Sequence, residues 1–123
     1  MVNIALTGLY LFGAIFLIAL VGVFDALDKL IEHEYESHRD AWEHDGCPRG
    51  ILFRPAEAKF FRGSFALQRC ALVWPFSTPP WTREDMRAKS LLRRFRLLFF
   101  MLYAALFVSI LSLCSYLSLT VTI

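Results

Sequence analysis

Charged and apolar residues occupy separate parts of this chain. Residues 1–24 and 97–123 contain no Asp, Glu, Lys or Arg and are rich in aliphatic and aromatic side chains. A helix rises about 1.5 Å per residue and the hydrocarbon core of a bilayer is about 30 Å thick, so about 20 residues cross it. The pattern therefore predicts a transmembrane helix in residues 1–24, a charged helical segment in residues 25–96, and a second transmembrane helix in residues 97–123.

The first helix is predicted to continue past its apolar stretch. Residues 25–45 contain neither Gly nor Pro, and their apolar side chains recur at helical spacing. Gly46 and Pro48 then end the pattern. We therefore expect one uninterrupted helix from near Ile4 to about Trp42.

Two more helices are predicted in the charged segment. Residues 57–74 are broadly apolar with interspersed basic side chains, which suits a helix at the lipid interface and equally a helix packed against the first. A proline-rich stretch, residues 75–80, ends it. Thr82, followed three residues later by Asp85, resembles a capping box, so the last helix should begin near Arg83. The predicted fold class is an all-α membrane protein, with two transmembrane helices joined by a cytoplasmic helical hairpin and a short interfacial helix.

The charged segment changes sign along its length. Residues 25–45 hold eight acidic and two basic side chains, a net charge of −6. Residues 46–96 hold eleven basic and three acidic side chains, a net charge of +8. Each exposed ion pair contributes only about 0–1 kcal/mol, but several together favour an antiparallel hairpin that joins the two parts.

The basic side chains predict the orientation in the membrane. Lys and Arg close to a span tend to remain on the cytoplasmic side. The cluster before the second span consists of Arg83, Arg87, Lys89, Arg93, Arg94 and Arg96. We expect a bacterial inner (cytoplasmic) membrane protein with both termini outside. The cluster can serve topology alone or also contact anionic lipid headgroups. Trp74 and Trp81 flank the proline-rich stretch, and such rings favour the membrane boundary.

Three histidines, with a cysteine close behind, are the weak candidates for a metal site. They are His33, His38 and His44, followed by Cys47. On an uninterrupted helix the five-residue step from His33 to His38 turns the second side chain by about 140° from the first. That spacing fails the geometry of a metal site, so we predict a solvated acidic face with scattered histidines and no bound metal.

Small residues in both spans predict close helix packing. The second span carries Ser109, Ser112 and Ser115 at three-residue spacing, and the first carries Gly8 and Gly13. Small side chains let helices approach closely in a membrane. The surface they form would contact either another subunit or the other span of this chain, and the sequence favours neither.

The sequence argues against several kinds of function. No ionisable residue lies in either apolar stretch, which argues against a pump, a transporter or a channel acting alone. No phosphate-binding loop, nucleophile elbow or metal-ligand spacing is present. We therefore expect no enzymatic activity, no cofactor and no nucleic-acid partner.

Three stretches carry a family resemblance. His38, Trp42, Gly46 and Pro48 lie in SHRDAWEHDGCPRG, a Leu/Phe/Arg-rich helix follows as AKFFRGSFALQRCALVW, and the second span is entered through LLRRFRLLFF. In layout and in these loose motifs the chain resembles small bacterial inner-membrane proteins similar to universal stress protein B. The resemblance implies an N-terminal span, a cytoplasmic middle and a C-terminal span, and it implies no catalytic residues.

Three functions remain open on the sequence. The leading hypothesis is a non-catalytic accessory or structural subunit of a larger bacterial membrane complex, respiratory or photosynthetic, whose partners are other membrane subunits. The second is a stand-alone or homo-oligomeric stress-response membrane protein, as the resemblance implies. The third is a metal- or haem-binding membrane protein that uses His33, His38, His44 or Cys47.

Overall fold

The fold was analysed in a computed structural model that describes residues 2–122. The described residues are all helical or irregular, and no strand occurs among them. The elements are α1 (Val2–Ser37), α2 (Arg39–His44), α3 (Phe60–Val73), a 3-10 turn (Pro80–Thr82) and α4 (Met86–Thr122). α1 and α4 are each long and apolar enough to cross a membrane. The all-helical class and the two potential spans are thus present as the sequence predicted.

The described residues divide into two compact units. We call residues 2–22 and 98–122 the apolar unit and residues 23–97 the charged unit. In the apolar unit the parts of α1 and α4 approach each other through small side chains. A methyl group on Gly8 would lie 3.1 Å from Ser112 Oγ, and one on Gly22 would lie 3.2 Å from the Leu98 methyl carbons. Most of the remaining large apolar side chains of this unit are exposed.

The charged unit has an apolar core to which three helices contribute. α1 buries Leu30 and Ile31, α3 buries Ala66 and α4 buries Phe95, among others. Helical periodicity explains the selection, since buried positions recur three or four residues apart on each helix. The buried apolar side chains of this unit include Val23, Ala26, Leu27, Leu30, Ile31, Trp42, Ala66, Cys70, Trp74, Ala88, Leu92 and Phe95.

The first helix is interrupted, so the prediction of a continuous helix to Trp42 is wrong. α1 ends at Ser37, and His38, with φ −135° and ψ 56°, separates it from α2. In a continuous helix the backbone N–H of Arg39 would donate to the carbonyl oxygen of Tyr35. Instead the Nε of the Arg39 side chain donates to that oxygen at 2.8 Å. A side chain inserted into the backbone hydrogen-bond ladder bends a helix without any Pro or Gly.

The last helix begins later than the predicted Arg83. Residues 80–82 form a 3-10 turn, in which the buried Thr82 hydroxyl donates to the carbonyl oxygen of Pro79 at 2.7 Å. Thr82 is therefore not the cap. Asp85 is, because its Oδ1 accepts the backbone N–H of Ala88 at 3.1 Å. α4 consequently begins at Met86.

The loop after α2 is held by polar contacts to α1 and α2. α2 ends in a left-handed turn in which Gly46 and Cys47 have φ of 94° and 56°. The buried Trp42 then donates its indole N–H to the Pro48 carbonyl oxygen at 2.8 Å. Further along, the Asp28 carboxylate accepts backbone N–H groups of the loop, including that of Leu52 at 2.9 Å. α3 follows at Phe60, three residues after the expected start at residue 57.

Candidate functional site

Two histidines and an aspartate converge in the charged unit. Nε2 of His33 lies 2.6 Å from Oδ2 of Asp85, and Nε2 of His38 lies 2.7 Å from the same oxygen. The two imidazole ring centroids are 5.8 Å apart. We call these three residues the His–Asp–His cluster. Among the described residues it is the one group of three or more side chains arranged to hold a metal ion.

The break after Ser37 brings the two histidines together. Their rings would diverge by about 140° on a continuous helix. At the break the Arg39 side chain bonds the Tyr35 carbonyl oxygen, and its guanidinium carbon also lies 3.6 Å from the Tyr35 ring centroid. Tyr35 in turn donates its hydroxyl to Glu57 at 2.7 Å. Side chains outside the cluster therefore contribute to holding the break at which His33 and His38 come together.

Asp85 divides its two oxygens between two tasks. Oδ1 caps α4, and Oδ2 accepts from both histidines. The hydrogen bond from His38 holds the pKa of the Asp85 carboxyl well below its usual range, although partial burial opposes this. The hydrogen bonds from His33 and from the backbone N–H of Ala88 act in the same direction as that from His38. Asp85 is thus a carboxylate at neutral pH.

The cluster is sheltered on one side and open on the other. The Trp81 ring lies 5.2 Å from the His38 ring and 6.4 Å from the His33 ring, between centroids. The side chains of His33, Asp85 and His38 remain 14%, 19% and 29% exposed, so water and small ions reach them. His33 also borders a pocket of about 200 Å³. The other side chains that line it are Lys29, Glu32, Glu36 and Arg87.

The other two metal candidates lie outside the cluster. His44 is exposed at the end of α2 and borders a separate pocket with Arg62 and Arg69. Cys47 is half-buried in the turn that follows. The structure thus brings together two of the four side chains that the sequence singled out.

Asp85, which completes the cluster, was recognised in the sequence only as a neighbour of a cap. A signal for its second role exists, because a capping carboxylate uses one oxygen and leaves the other available. The partner of that oxygen comes from a distant helix, and local sequence rules do not identify such a partner.

A second unusual carboxyl lies in the core of the charged unit. Glu34 is fully buried and lies beyond Phe24, where the apolar stretch of α1 ends. Neither of its oxygens makes a hydrogen bond of ordinary geometry within residues 2–122. Burial raises the pKa of Glu34 to about 9, and the negative charge of Asp45 adds to the shift. Glu34 is therefore protonated at neutral pH.

The residues predicted to contact lipid have different environments. Arg96 donates to the Trp74 carbonyl oxygen and to Thr78 Oγ1, both at 3.0 Å, and so secures the end of α3. Arg94 lies 3.5 Å from an Asp25 carboxylate oxygen in an exposed pair. Trp74 is 4% exposed and belongs to the core, and its location at the membrane boundary stays a prediction. The remaining basic residues before the second span are exposed, namely Arg83, Arg87, Lys89 and Arg93.

The small residues of the apolar unit border a groove. Gly8, Ser112 and Ser115 line it together with aliphatic side chains, and its volume is about 450 Å³. Ser109 lies outside the groove and donates its hydroxyl to the Ala105 carbonyl oxygen of its own helix at 2.7 Å. Gly13 is also outside it, since a methyl group at Gly13 would meet no described atom within 4 Å.

α3 buries small side chains and exposes large apolar ones. Its buried residues are small, namely Gly63, Ala66 and Cys70. Its large side chains point outward: Phe61 is 74% exposed and Phe65 is 69% exposed. A helix that packs small residues inward and phenylalanines outward presents a surface suited to lipid or to a partner.

Comparisons with protein-family models, curated proteins and solved structures bear on the family resemblance. The searches found no match to this chain. The likeness to proteins similar to universal stress protein B therefore stays a prediction from the sequence.

Proposed function

We propose that this protein is a small non-catalytic accessory subunit of a larger membrane complex in the bacterial inner membrane. Two spans anchor it, and the charged unit faces the cytoplasm as the basic residues next to the second span require. The observation that carries the proposal is the groove of the apolar unit. It is partly open and mainly apolar, and its lining includes Gly8, Ser112 and Ser115.

The groove suits a transmembrane helix of another subunit. Helices in lipid gain little from apolar burial alone, so they associate where small residues permit close backbone approach. Gly8 and Ser112 already face each other within this chain. Ser115 is exposed beside them and leaves room for a further helix. The exposed apolar surface of both spans would otherwise contact lipid. Only 6% of the most apolar 18-residue stretch of α1, and 11% of that of α4, is buried.

α3 is proposed to lie at the cytoplasmic lipid interface. Phe61 and Phe65 would enter the acyl boundary while Arg62 remains at headgroup level. All three side chains are exposed. The charged unit is proposed to form a hairpin of the acidic part of α1 and the basic part of α4. The Arg94–Asp25 ion pair and the His–Asp–His cluster support this arrangement.

Purification from native membranes in a mild detergent tests the accessory role. We expect partner subunits to co-purify at fixed stoichiometry. The groove variant Ser115→Leu should lose them, because a large side chain fills the space for the partner helix. Ser118→Leu makes the same change on α4 outside the groove and should retain the partners. Recovery of free or only self-associated wild-type protein contradicts the proposal, and so does equal partner retention by both variants.

A further inference from the structure

We infer that His33, His38 and Asp85 form a binding site for a divalent transition-metal ion of the zinc class. The donor atoms are two imidazole nitrogens and one carboxylate oxygen, and all lie within 4.8 Å of one another. This donor set is one that zinc uses widely in proteins, with three protein ligands and an open fourth position.

The donor atoms of the cluster lie closer together than in a site that holds an ion. In a tetrahedral site with bonds of about 2.1 Å, neighbouring ligand atoms are about 3.4 Å apart. The nitrogens of His33 and His38 are 2.6 and 2.7 Å from Asp85 Oδ2. An ion therefore needs the donors to separate by less than about 1 Å, a change that side-chain rotation supplies. Binding replaces two hydrogen bonds with three metal bonds, and each neutral imidazole then carries its proton on Nδ1 instead of Nε2.

The three ligands are held in place by groups that do not bind the ion. Asp85 is fixed because its Oδ1 caps α4, which leaves Oδ2 as the donor. His38 is fixed by the helix break at Arg39 and by the Trp81 ring at 5.2 Å. Supports of this kind orient metal ligands and raise affinity.

Exposure and chemistry favour a transition ion over a hard cation. Imidazole nitrogens select zinc, copper, nickel or iron, whereas calcium and magnesium prefer oxygen ligands. The partial exposure of His38 leaves room for a water molecule or a fourth ligand. Glu32 and Glu36 line the pocket beside His33.

This site does not depend on the accessory role. The accessory role rests on the apolar unit, whereas all three ligands belong to the charged unit. A protein that binds zinc without partner subunits, or that has partners without zinc, separates the two proposals.

Calorimetric titration of the full-length, metal-stripped protein with Zn²⁺ tests the site, and Co²⁺ supplies an optical readout. We expect one ion per chain and visible Co²⁺ bands of a low-coordinate nitrogen and oxygen site. His33→Ala and His38→Ala should each weaken Zn²⁺ binding by about tenfold or more, because a donor is lost. His44→Ala, which removes an exposed histidine outside the cluster, should bind as the wild type does.

Two results would overturn the site. One is the absence of Zn²⁺ binding. The other is the binding of several ions per chain with equal affinity in all three histidine variants. Asp85→Asn keeps a capping oxygen for α4 and should still lose Zn²⁺ affinity. Circular dichroism of each variant identifies any that has failed to fold, and the Co²⁺ spectrum of the wild type tests the ligand set without any variant.

Discussion

The two units of this protein satisfy their polar groups in different ways. In the apolar unit, hydroxyls bond within their own helix: Ser109 donates to the Ala105 carbonyl oxygen, and Thr7 donates to that of Asn3. In the charged unit, polar groups bond between distant elements, as in the His–Asp–His cluster and the contact of Arg96 with the end of α3. A hydroxyl satisfied within its helix needs no tertiary partner, so we expect close packing at small residues to dominate the association of the two helices in the apolar unit. The charged unit depends on particular long-range bonds.

The largest effect should come from the core of the charged unit. Trp42 is 1% exposed and its indole donates to Pro48, so Trp42→Ala creates a cavity and leaves a carbonyl unpaired. We expect a loss of about 3–5 kcal/mol in the free energy of unfolding. Denaturant titration in detergent, followed by near-ultraviolet circular dichroism, measures it. Leu52→Ala, at a position 88% exposed, is the control and should change stability little. Similar losses in both variants would contradict this core.

In the apolar unit, the size of the side chains between the two helices should determine how closely the helices pack. Gly8→Leu places a side chain against Ser112, where even a methyl group would lie 3.1 Å from Oγ, and should cost about 1–3 kcal/mol of helix association. Gly13→Leu enters open space and should cost little. Spin labels at the exposed positions Tyr10 and Leu106, in a cysteine-free background, report the helix separation. It should increase only in Gly8→Leu, and an increase in both variants would argue against this packing.

Glu34 should make the charged unit less stable as pH rises. The pKa of Glu34 is about 9 in the folded protein and 4.5 for a glutamate in the unfolded chain, so between these values the folded state holds a proton that the unfolded state has released. Stability is then lost as pH rises, by at most about 1.4 kcal/mol per pH unit. Unfolding at pH 5 to 9 in metal-free buffer should show this slope in the wild type and a flatter one in Glu34→Gln. Equal slopes would mean that Glu34 does not titrate in this way.

The smallest expected losses of stability distinguish two arginines of α4. Arg96→Ala removes two hydrogen bonds that secure the end of α3 and should cost about 1 kcal/mol or slightly more. Arg94→Ala removes one exposed ion pair and should cost about 0–0.5 kcal/mol. Thermal unfolding of the two variants, compared at matched salt, gives the order. A larger loss of stability in Arg94→Ala than in Arg96→Ala would show that the ion pair contributes more than the two hydrogen bonds.

The sequence predicted those parts of the fold that local rules decide. Charge-free stretches of sufficient length predicted both long apolar helices, and the proline-rich stretch predicted the break after α3. The interruption at His38 was not predictable in this way, because it contains no Pro or Gly and involves the Arg39 side chain, which bonds the Tyr35 carbonyl oxygen. The cluster was not predicted for the same reason. On a continuous helix the two histidines would point apart, and local sequence rules do not identify the distant partner Asp85.

The central claim is that the helix break after Ser37 turns His38 towards His33. The most direct test is a nuclear Overhauser experiment on histidine-labelled protein in detergent micelles, with His44 as the reference resonance. The ring centroids of His33 and His38 are 5.8 Å apart in an edge-on arrangement, so a cross-peak should join their ring protons. A continuous helix would direct the rings apart by about 140°. Absence of the cross-peak, with all three histidine resonances assigned, would contradict the break and the cluster built on it.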